Sequence, residues 1–433
     1  MLKPEDKQLL KRFHHNLNDK PLSPDSANYV QVFEPDENGY LDDPISEIST
    51  NIAFSETSSV GLLTGQRGSG KSTELLRLKK ILEDEEDCVV FLCDMSLYMN
   101  LTTPVEITDF LISLMTALSD AFLEVFGEDL LAEGYLTRIS NFLQQEVQIS
   151  DATLKSGLGN IKASLIEDPS FKRLLQQQLK GHVAKIVAQA HKFAAEVVNQ
   201  VRQKKGDPDK KVVILVDSVE QIRGVGEDAA TVYKTVENLF NAHAPSLRIP
   251  LLHMLYTIPP YLSPLAPNIA RVLGGNAVYN LPSLHIKNKD DSEDPKGLGK
   301  MHEILSKRCE QVDQVFTQAQ VKKLALLSGG DLRNFFRFIR QCLIKAVNNA
   351  SGDLPVSDAI LQHAENHARR ELFLAEEDKS WLKKINESKK HQLDSIDNLP
   401  QLARFLDTGL VLNYRNGEDW YDVHPLVRLQ LDD

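Results

Sequence analysis

The sequence predicts a doubly wound α/β fold, a parallel sheet with helices on both faces, and three observations carry that expectation. Residues 65–72 read Gly65-Gln66-Arg67-Gly68-Ser69-Gly70-Lys71-Ser72, a complete G-x-x-x-x-G-K-S pattern. Short, nearly continuous apolar runs at 60–64, 88–95, 212–216, 251–258 and 277–282 have the character of strands buried on both faces. Helical patterns at 72–83, 104–126, 182–204 and 229–243 separate them, which is the alternation of a parallel sheet.

The apolar run at 60–63 leads into the glycine-rich loop, and the helix-forming stretch from Thr73 to Leu78 follows it. Strand, loop and helix in that order make a cradle for phosphate. The glycines let backbone N–H groups converge on β- and γ-phosphates at the positive end of the helix. Lys71 adds a compact positive charge to the same oxygens, and Ser72 offers a hydroxyl to Mg²⁺. Gly65 through Thr73 are therefore the candidate contacts of a nucleoside triphosphate.

Such a loop needs a second carboxylate for Mg²⁺, at the end of a neighbouring buried strand. The run Val212-Val213-Ile214-Leu215-Val216-Asp217 supplies it in Asp217. Glu220, three residues on, either orients the attacking water or is a solvated loop carboxylate. Thr257 closes the fourth apolar run; it either touches the γ-phosphate or the lytic water, or simply ends a strand. His253, inside that run, reads as a core histidine.

Further on, Ser328-Gly329-Gly330-Asp331-Leu332-Arg333 opens a helix whose Arg333, Arg337 and Arg340 share one face. An arginine in the first turn is opposed by the helix dipole. Arg333 therefore calls for an anion, either a nucleotide phosphate or a carboxylate such as Asp331.

Composition sets the outer limits. A chain of 433 residues has room for two to four domains. Apolar content of 42% with 25% charged residues is ordinary for a globular protein. No uninterrupted apolar run reaches the length of a membrane span. The charged start, Met1-Leu2-Lys3-Pro4-Glu5-Asp6-Lys7, is unlike a signal peptide. Cys88, Cys93, Cys309 and Cys342 are scattered and read as core hydrophobes in a reducing compartment. A cytoplasmic protein without disulfides is the expectation. A net charge of −12 repels nucleic acid at long range and gives that class of partner no help.

Along the chain, residues 1–47 form an N-terminal arm with a helix candidate at 7–17 and four prolines, Pro21, Pro24, Pro35 and Pro44. Residues 48–285 are the α/β core, with a helical insertion at about 104–205 in which 150–164 reads as a loop. A charged linker at 284–298 leads to an all-helical segment, 299–350. In 351–433, helices near 356–373, 376–386 and 395–407 precede two apolar runs around Asn416-Gly417, a strong hairpin signal. Three helices and a hairpin are the layout of a winged helix.

In this order the pieces resemble the AAA+ family, and more narrowly its STAND and origin-initiator-like branches. The resemblance implies a P-loop ATPase core with a helical lid and a winged helix, binding ATP and Mg²⁺. It matches residues 65–72 to Walker A, Asp217 to Walker B, Thr257 to sensor 1 and Arg333 to sensor 2. Arg271, in Ala266-Pro267-Asn268-Ile269-Ala270-Arg271, falls where these families carry an arginine finger for a neighbouring subunit. One departure stands out: Ser218 occupies the position after Asp217 where the motors carry a catalytic glutamate. Asp217-Ser218-Val219-Glu220 is instead similar to the STAND arrangement.

That implies a slowly hydrolysing molecular switch that assembles with itself or with a separate effector chain, in a setting such as prokaryotic antiviral defence or signalling. The alternatives are a DNA-binding initiator or loader and a scaffold that holds ATP without turnover. Against a DNA reader, residues 371–433 hold 8 basic against 13 acidic residues. The basic cluster available is Lys383, Lys384, Lys389 and Lys390, with Arg404 as its possible extension.

Overall fold

The computed structural model describes residues 2–18, 20–35, 39, 41–127, 134–145, 152–224, 229–275, 278–348, 353–372, 374–391, 393 and 395–431. They form two compact units, one of Pro44–Thr64 and Arg77–Asn280, the other of Met1–Asp43, Gly65–Leu76 and Leu281–Asp433.

The first unit is built on a five-stranded sheet: β1 (Ser59–Gly65), β2 (Val89–Asp94), β3 (Val212–Asp217), β4 (His253–Ile258) and β5 (Val278–Leu281). The order is β2-β3-β4-β1-β5, typical of P-loop nucleotide-binding proteins. The pairs β1–β4, β3–β4 and β2–β3 are parallel. Every residue of β3 and β4 is buried, which explains their nearly continuous apolar runs. The chain leaves β1 for the glycine-rich loop at the carboxyl end of the strands, the end at which open α/β sheets bind ligands.

Between β2 and β3 the insertion is helical, with its longest helices at Ile107–Phe126 and Val183–Lys205. The first of these opens with a capping box between Glu106 and Asp109 and ends at Gly127 in the left-handed conformation. It lies along β2, with the Phe91 and Phe122 rings 6.1 Å apart. The loop expected at 150–164 is instead helical where it is described, at Ala152–Gly157 and Ile161–Glu167. Leu154, Leu158, Ile161 and Leu165 are buried there at helical spacing, and that periodicity overrides the glycines that suggested a loop. Residues 150 and 151 lie outside the described residues. A further helix, Pro44–Phe54, starts at the last of the four prolines assigned to the N-terminal arm. At the first helical position proline is well placed, because its missing N–H has no partner to lose.

In the second unit the helix Pro4–Asn16 buries Leu9, Leu10 and Phe13 in one core with residues of Pro295–Arg308, Gln318–Ser328, Leu332–Asn348 and Asp358–Glu371. The Phe13 ring meets Phe316 edge-on at 6.3 Å. Arg340 donates to the Leu17 carbonyl at 3.0 Å, and the Asn16 amide donates to the Arg308 carbonyl at 2.9 Å. The winged helix follows: Lys379–Ser388, Leu399–Asp407, then β6 (Val411–Asn416), β7 (Glu418–Val423) and Pro425–Leu431. The hairpin turns at Gly417, whose φ is +83°, and Tyr414 stacks on Trp420 across it at 4.5 Å. Among the described residues no helix is long and apolar enough to cross a membrane, and the four cysteines are buried free thiols.

Phe13→Ala should cost about 3–5 kcal/mol in chemical denaturation of the full chain, the usual penalty for emptying a core phenylalanine site. A loss under about 1 kcal/mol would mean that the first helix is not part of that core.

Candidate nucleotide site

The glycine-rich loop opens the helix Lys71–Asp84, so its amides lie at the positive end of the helix dipole. Gly68 and Gly70 have φ of +94° and +92°, which L-residues rarely adopt. A Cβ on Gly65 would stand 2.5 Å from the Leu281 carbonyl oxygen, so no side chain fits there. Among the described residues Ser69 Oγ is buried with no hydrogen-bond partner. A polar atom left so inside a glycine-rich loop fits a phosphate oxygen as its missing partner.

Lys71 is buried, and its Nζ donates to the carbonyls of Gly65 at 2.8 Å and Gln66 at 2.7 Å. Ser72 and Thr73 follow on the first turn, and the Thr73 hydroxyl accepts from the Leu22 N–H at 3.1 Å. Beside it the Tyr29 hydroxyl donates to Glu74 at 3.1 Å. Residues 22–29 are therefore bonded to the opening of the helix, a role the proline-spaced sequence of that segment did not announce.

The expected arginine helix is Leu332–Asn348. A Cβ on Gly68 would lie 3.1 Å from the Arg333 Cβ and 3.2 Å from both Asp331 carboxylate oxygens. Loop and helix start are thus in contact, and Arg333 is exposed. Asp331 accepts from the Asn334 N–H at 2.7 Å, capping the helix. Burial pushes the Asp331 carboxyl above its usual range, against the pull of Arg333 and Arg337. The other two arginines of the face are used within the unit: Arg337 pairs with Glu371 at 2.9 Å, and Arg340 holds Leu17.

In the sheet unit, Asp217 ends β3, buried, and accepts the Ser218 N–H at 2.7 Å. Ser218 sits at φ +69°, ψ 0°, a left-handed conformation that costs a non-glycine residue about 1 kcal/mol. Thr257 is fully buried; its hydroxyl accepts the Val219 N–H at 3.1 Å and donates to the Val216 carbonyl at 3.2 Å. It pins the turn after β3 to β4. That turn, Val219–Gln221, carries Glu220. Asp217, Ser218, Glu220 and Thr257 are thereby drawn to one end of two adjacent strands. His253 is at the other end of β4, bonded to Ser59 Oγ at 2.9 Å. Burial first, then Lys211 and Arg202, lower its pKa to about 4, so it is a neutral core residue near pH 7. Arg271 stands exposed near the end of the helix Ala266–Val272, its guanidinium donating to Asn268 Oδ1 at a long 3.4 Å.

The basic cluster of the winged helix is reduced by internal pairing. Lys389 is buried and meets Asp422 at 2.9 Å and Asp291 at 3.3 Å. Arg428 grips both oxygens of Asp291, at 2.7 and 2.8 Å, and Lys287 reaches the same carboxylate at 3.1 Å. Arg404 donates to the buried Asp378. The segment read as a charged linker is therefore part of an ion network with the winged helix.

No protein-family model matches the sequence, and no curated protein matches it. Among solved structures, the chain is similar to the ADP form of the ORC2 protein of Aeropyrum pernix, at 11% identity and a TM-score of 0.44, over 97% of this chain and 96% of that one. It is similar to a Walker-type ATPase of Pyrococcus abyssi at 13% identity and a TM-score of 0.42, over 94% and 100%. A third similarity is to Cdc6p of Pyrobaculum aerophilum, at 10% identity and a TM-score of 0.37, over 89% and 90%.

Thr257→Val should destabilise the protein by about 1–3 kcal/mol, because it leaves a buried N–H and a buried carbonyl unpaired. Thermal unfolding against an exposed control, Thr102→Val, measures it; equal midpoints would refute the pinning role. A second expectation concerns acid. His253 and the buried His424, lowered to about 4 and about 3, both start from 6.5. Below 6.5 the unfolded chain binds more protons than the folded one, so stability is lost as the pH falls through the window from about 6.5 to the folded values. Each histidine contributes a slope of up to about 1.4 kcal/mol per pH unit. Denaturant midpoints that stay level from pH 7 to 4.5 would contradict this.

Proposed function

We propose that the chain binds ATP with Mg²⁺ and hydrolyses it slowly, as a switch that controls assembly with itself or with a separate effector chain. The observation that carries the reading is the formed phosphate loop. It has the full G-x-x-x-x-G-K-S pattern, left-handed Gly68 and Gly70, a buried Ser69 hydroxyl in need of a partner, and a helix opening at Lys71. In this reading residues 48–285 are the ATPase core, 299–350 the lid and 351–433 a structural or partner-binding module.

Backbone amides of residues 65–73 and the Lys71 ammonium bind the phosphates, and Ser72 and Asp217 are the Mg²⁺ ligands. Mg²⁺ held there would supply positive charge to the phosphate oxygens. Glu220 orients the attacking water, while Thr257 keeps the Glu220 turn in place. Arg333 supplies positive charge to the γ-phosphate, and Arg271 is the candidate finger toward a second subunit. Slow turnover follows from Ser218, a hydroxyl where a motor has a carboxylate base. ATP rather than GTP, and a setting in prokaryotic defence or signalling, rest on the family resemblance alone.

A DNA-binding initiator is the weaker reading. Internal pairing of Lys389 and Arg404 leaves Lys383, Lys384 and Lys390 as the cluster facing solvent, in a region with an acidic excess.

Lys71→Ala should weaken nucleotide binding by roughly two orders of magnitude. Asp217→Asn should keep the nucleotide and lose Mg²⁺-dependent phosphate release. Light scattering with and without ATP–Mg²⁺ then tests assembly, with Arg271→Ala as the control for a finger in trans. Wild-type affinity in Lys71→Ala would remove the nucleotide reading. Tight, salt-sensitive duplex binding at about 50 mM salt would favour the initiator instead.

A further inference from the structure

Gln66 fills a position that the phosphate-loop pattern leaves open, yet its side chain is buried and hydrogen-bonded through both its oxygen and its nitrogen. Its Oε1 accepts two bonds of 3.0 Å, one from the Asn413 N–H in β6 and one from the Ser283 hydroxyl. Its Nε2 donates to the Val411 carbonyl of the same strand. The Ser283 N–H donates to the Asn413 carbonyl at 3.0 Å, so the amide closes a single polar frame. One edge of β6 is paired with β7; Gln66 and Ser283 satisfy groups on the other, as a neighbouring strand would. A buried amide with each of these bonds made is costly to dislodge.

The main chain of this residue has a second duty. The Gln66 carbonyl, with that of Gly65, accepts the Lys71 ammonium. A hairpin that grips the Gln66 side chain therefore also fixes the two carbonyls that hold Lys71. A phosphate competing for that ammonium must draw it away from them.

We infer that Gln66 is a positioning residue through which docking of the 411–423 hairpin lowers the affinity of the loop for nucleotide. The inference rests on the nucleotide reading above and adds a direction to it. Hairpin docking and phosphate binding oppose each other, and by linkage each weakens the other by the same factor. The device acts through Lys71, so it shifts affinity without needing any contact between hairpin and nucleotide.

The test uses the full chain in a Trp381→Phe background, which leaves Trp420 of the hairpin as the reporter of docking, because the chain has two tryptophans. A fluorescent ADP analogue with Mg²⁺ is titrated while hydrogen exchange follows the Asn413 amide. Gln66→Ala should bind the analogue about tenfold more tightly, within the 5–150-fold range of such couplings, and exchange at Asn413 should quicken. Ser283→Ala, which removes one donor to Gln66 Oε1 without touching the loop, should shift both readouts the same way by less. Nucleotide should quicken Asn413 exchange in the unmutated loop and have little further effect in Gln66→Ala.

Unchanged or weaker affinity in Gln66→Ala, with native Trp420 emission, overturns the coupling. If Gln66→Ala does not fold, unchanged affinity and exchange in Ser283→Ala overturn it equally. Absence of binding in the wild type and both variants overturns the nucleotide reading itself, a result distinct from equal and measurable affinities.

Discussion

A glycine-rich loop has few side chains with which to hold its own shape, and here the buried Lys71 ammonium takes on that work. An ammonium at that depth must have its donors met, and the Gly65 and Gln66 carbonyls meet two of them. The loop can close around the lysine because Gly68 and Gly70 turn left-handed and Gly65 passes tight against Leu281. The same glycines that make room for phosphate thus let the loop fold onto its own cation. The contacts made by Gln66, Thr73 and Glu74 all attach to this one turn.

Elements whose stability is local were legible in the sequence. The apolar runs became β1 to β5, because strands buried on both faces admit almost nothing else. The Asn416-Gly417 signal became the turn between β6 and β7, since a left-handed residue is needed there. The segment 150–164 was obscured for the opposite reason. Its glycines are compatible with short helices once Leu154, Leu158, Ile161 and Leu165 have a core to enter, and that core lies elsewhere in the sequence.

The candidate site divides in the same way. Lys71, Asp217 and Thr257 stand out because motif position or strand ending marks them. Gln66 did not, because its partners lie 217 to 347 residues away and nothing beside it in sequence foretells them. Lys389 and Arg404 are the converse case. A run of lysines suggests a surface, but a buried carboxylate behind each of these residues makes it an internal counter-ion. Formal charge along a sequence overstates what is left for a partner whenever such pairs form.

The helix Pro4–Asn16 shares its core with helices that begin only at Pro295. In synthesis it precedes those helices, and its apolar face stays without these native partners until they are made. Closure of so long a loop is slow in entropic terms, and meanwhile Leu9, Leu10 and Phe13 remain open to other apolar surfaces. The sheet unit between them can complete its own core first. A helix made early is then buried late, and the helical core waits for the residues from Pro295 onward.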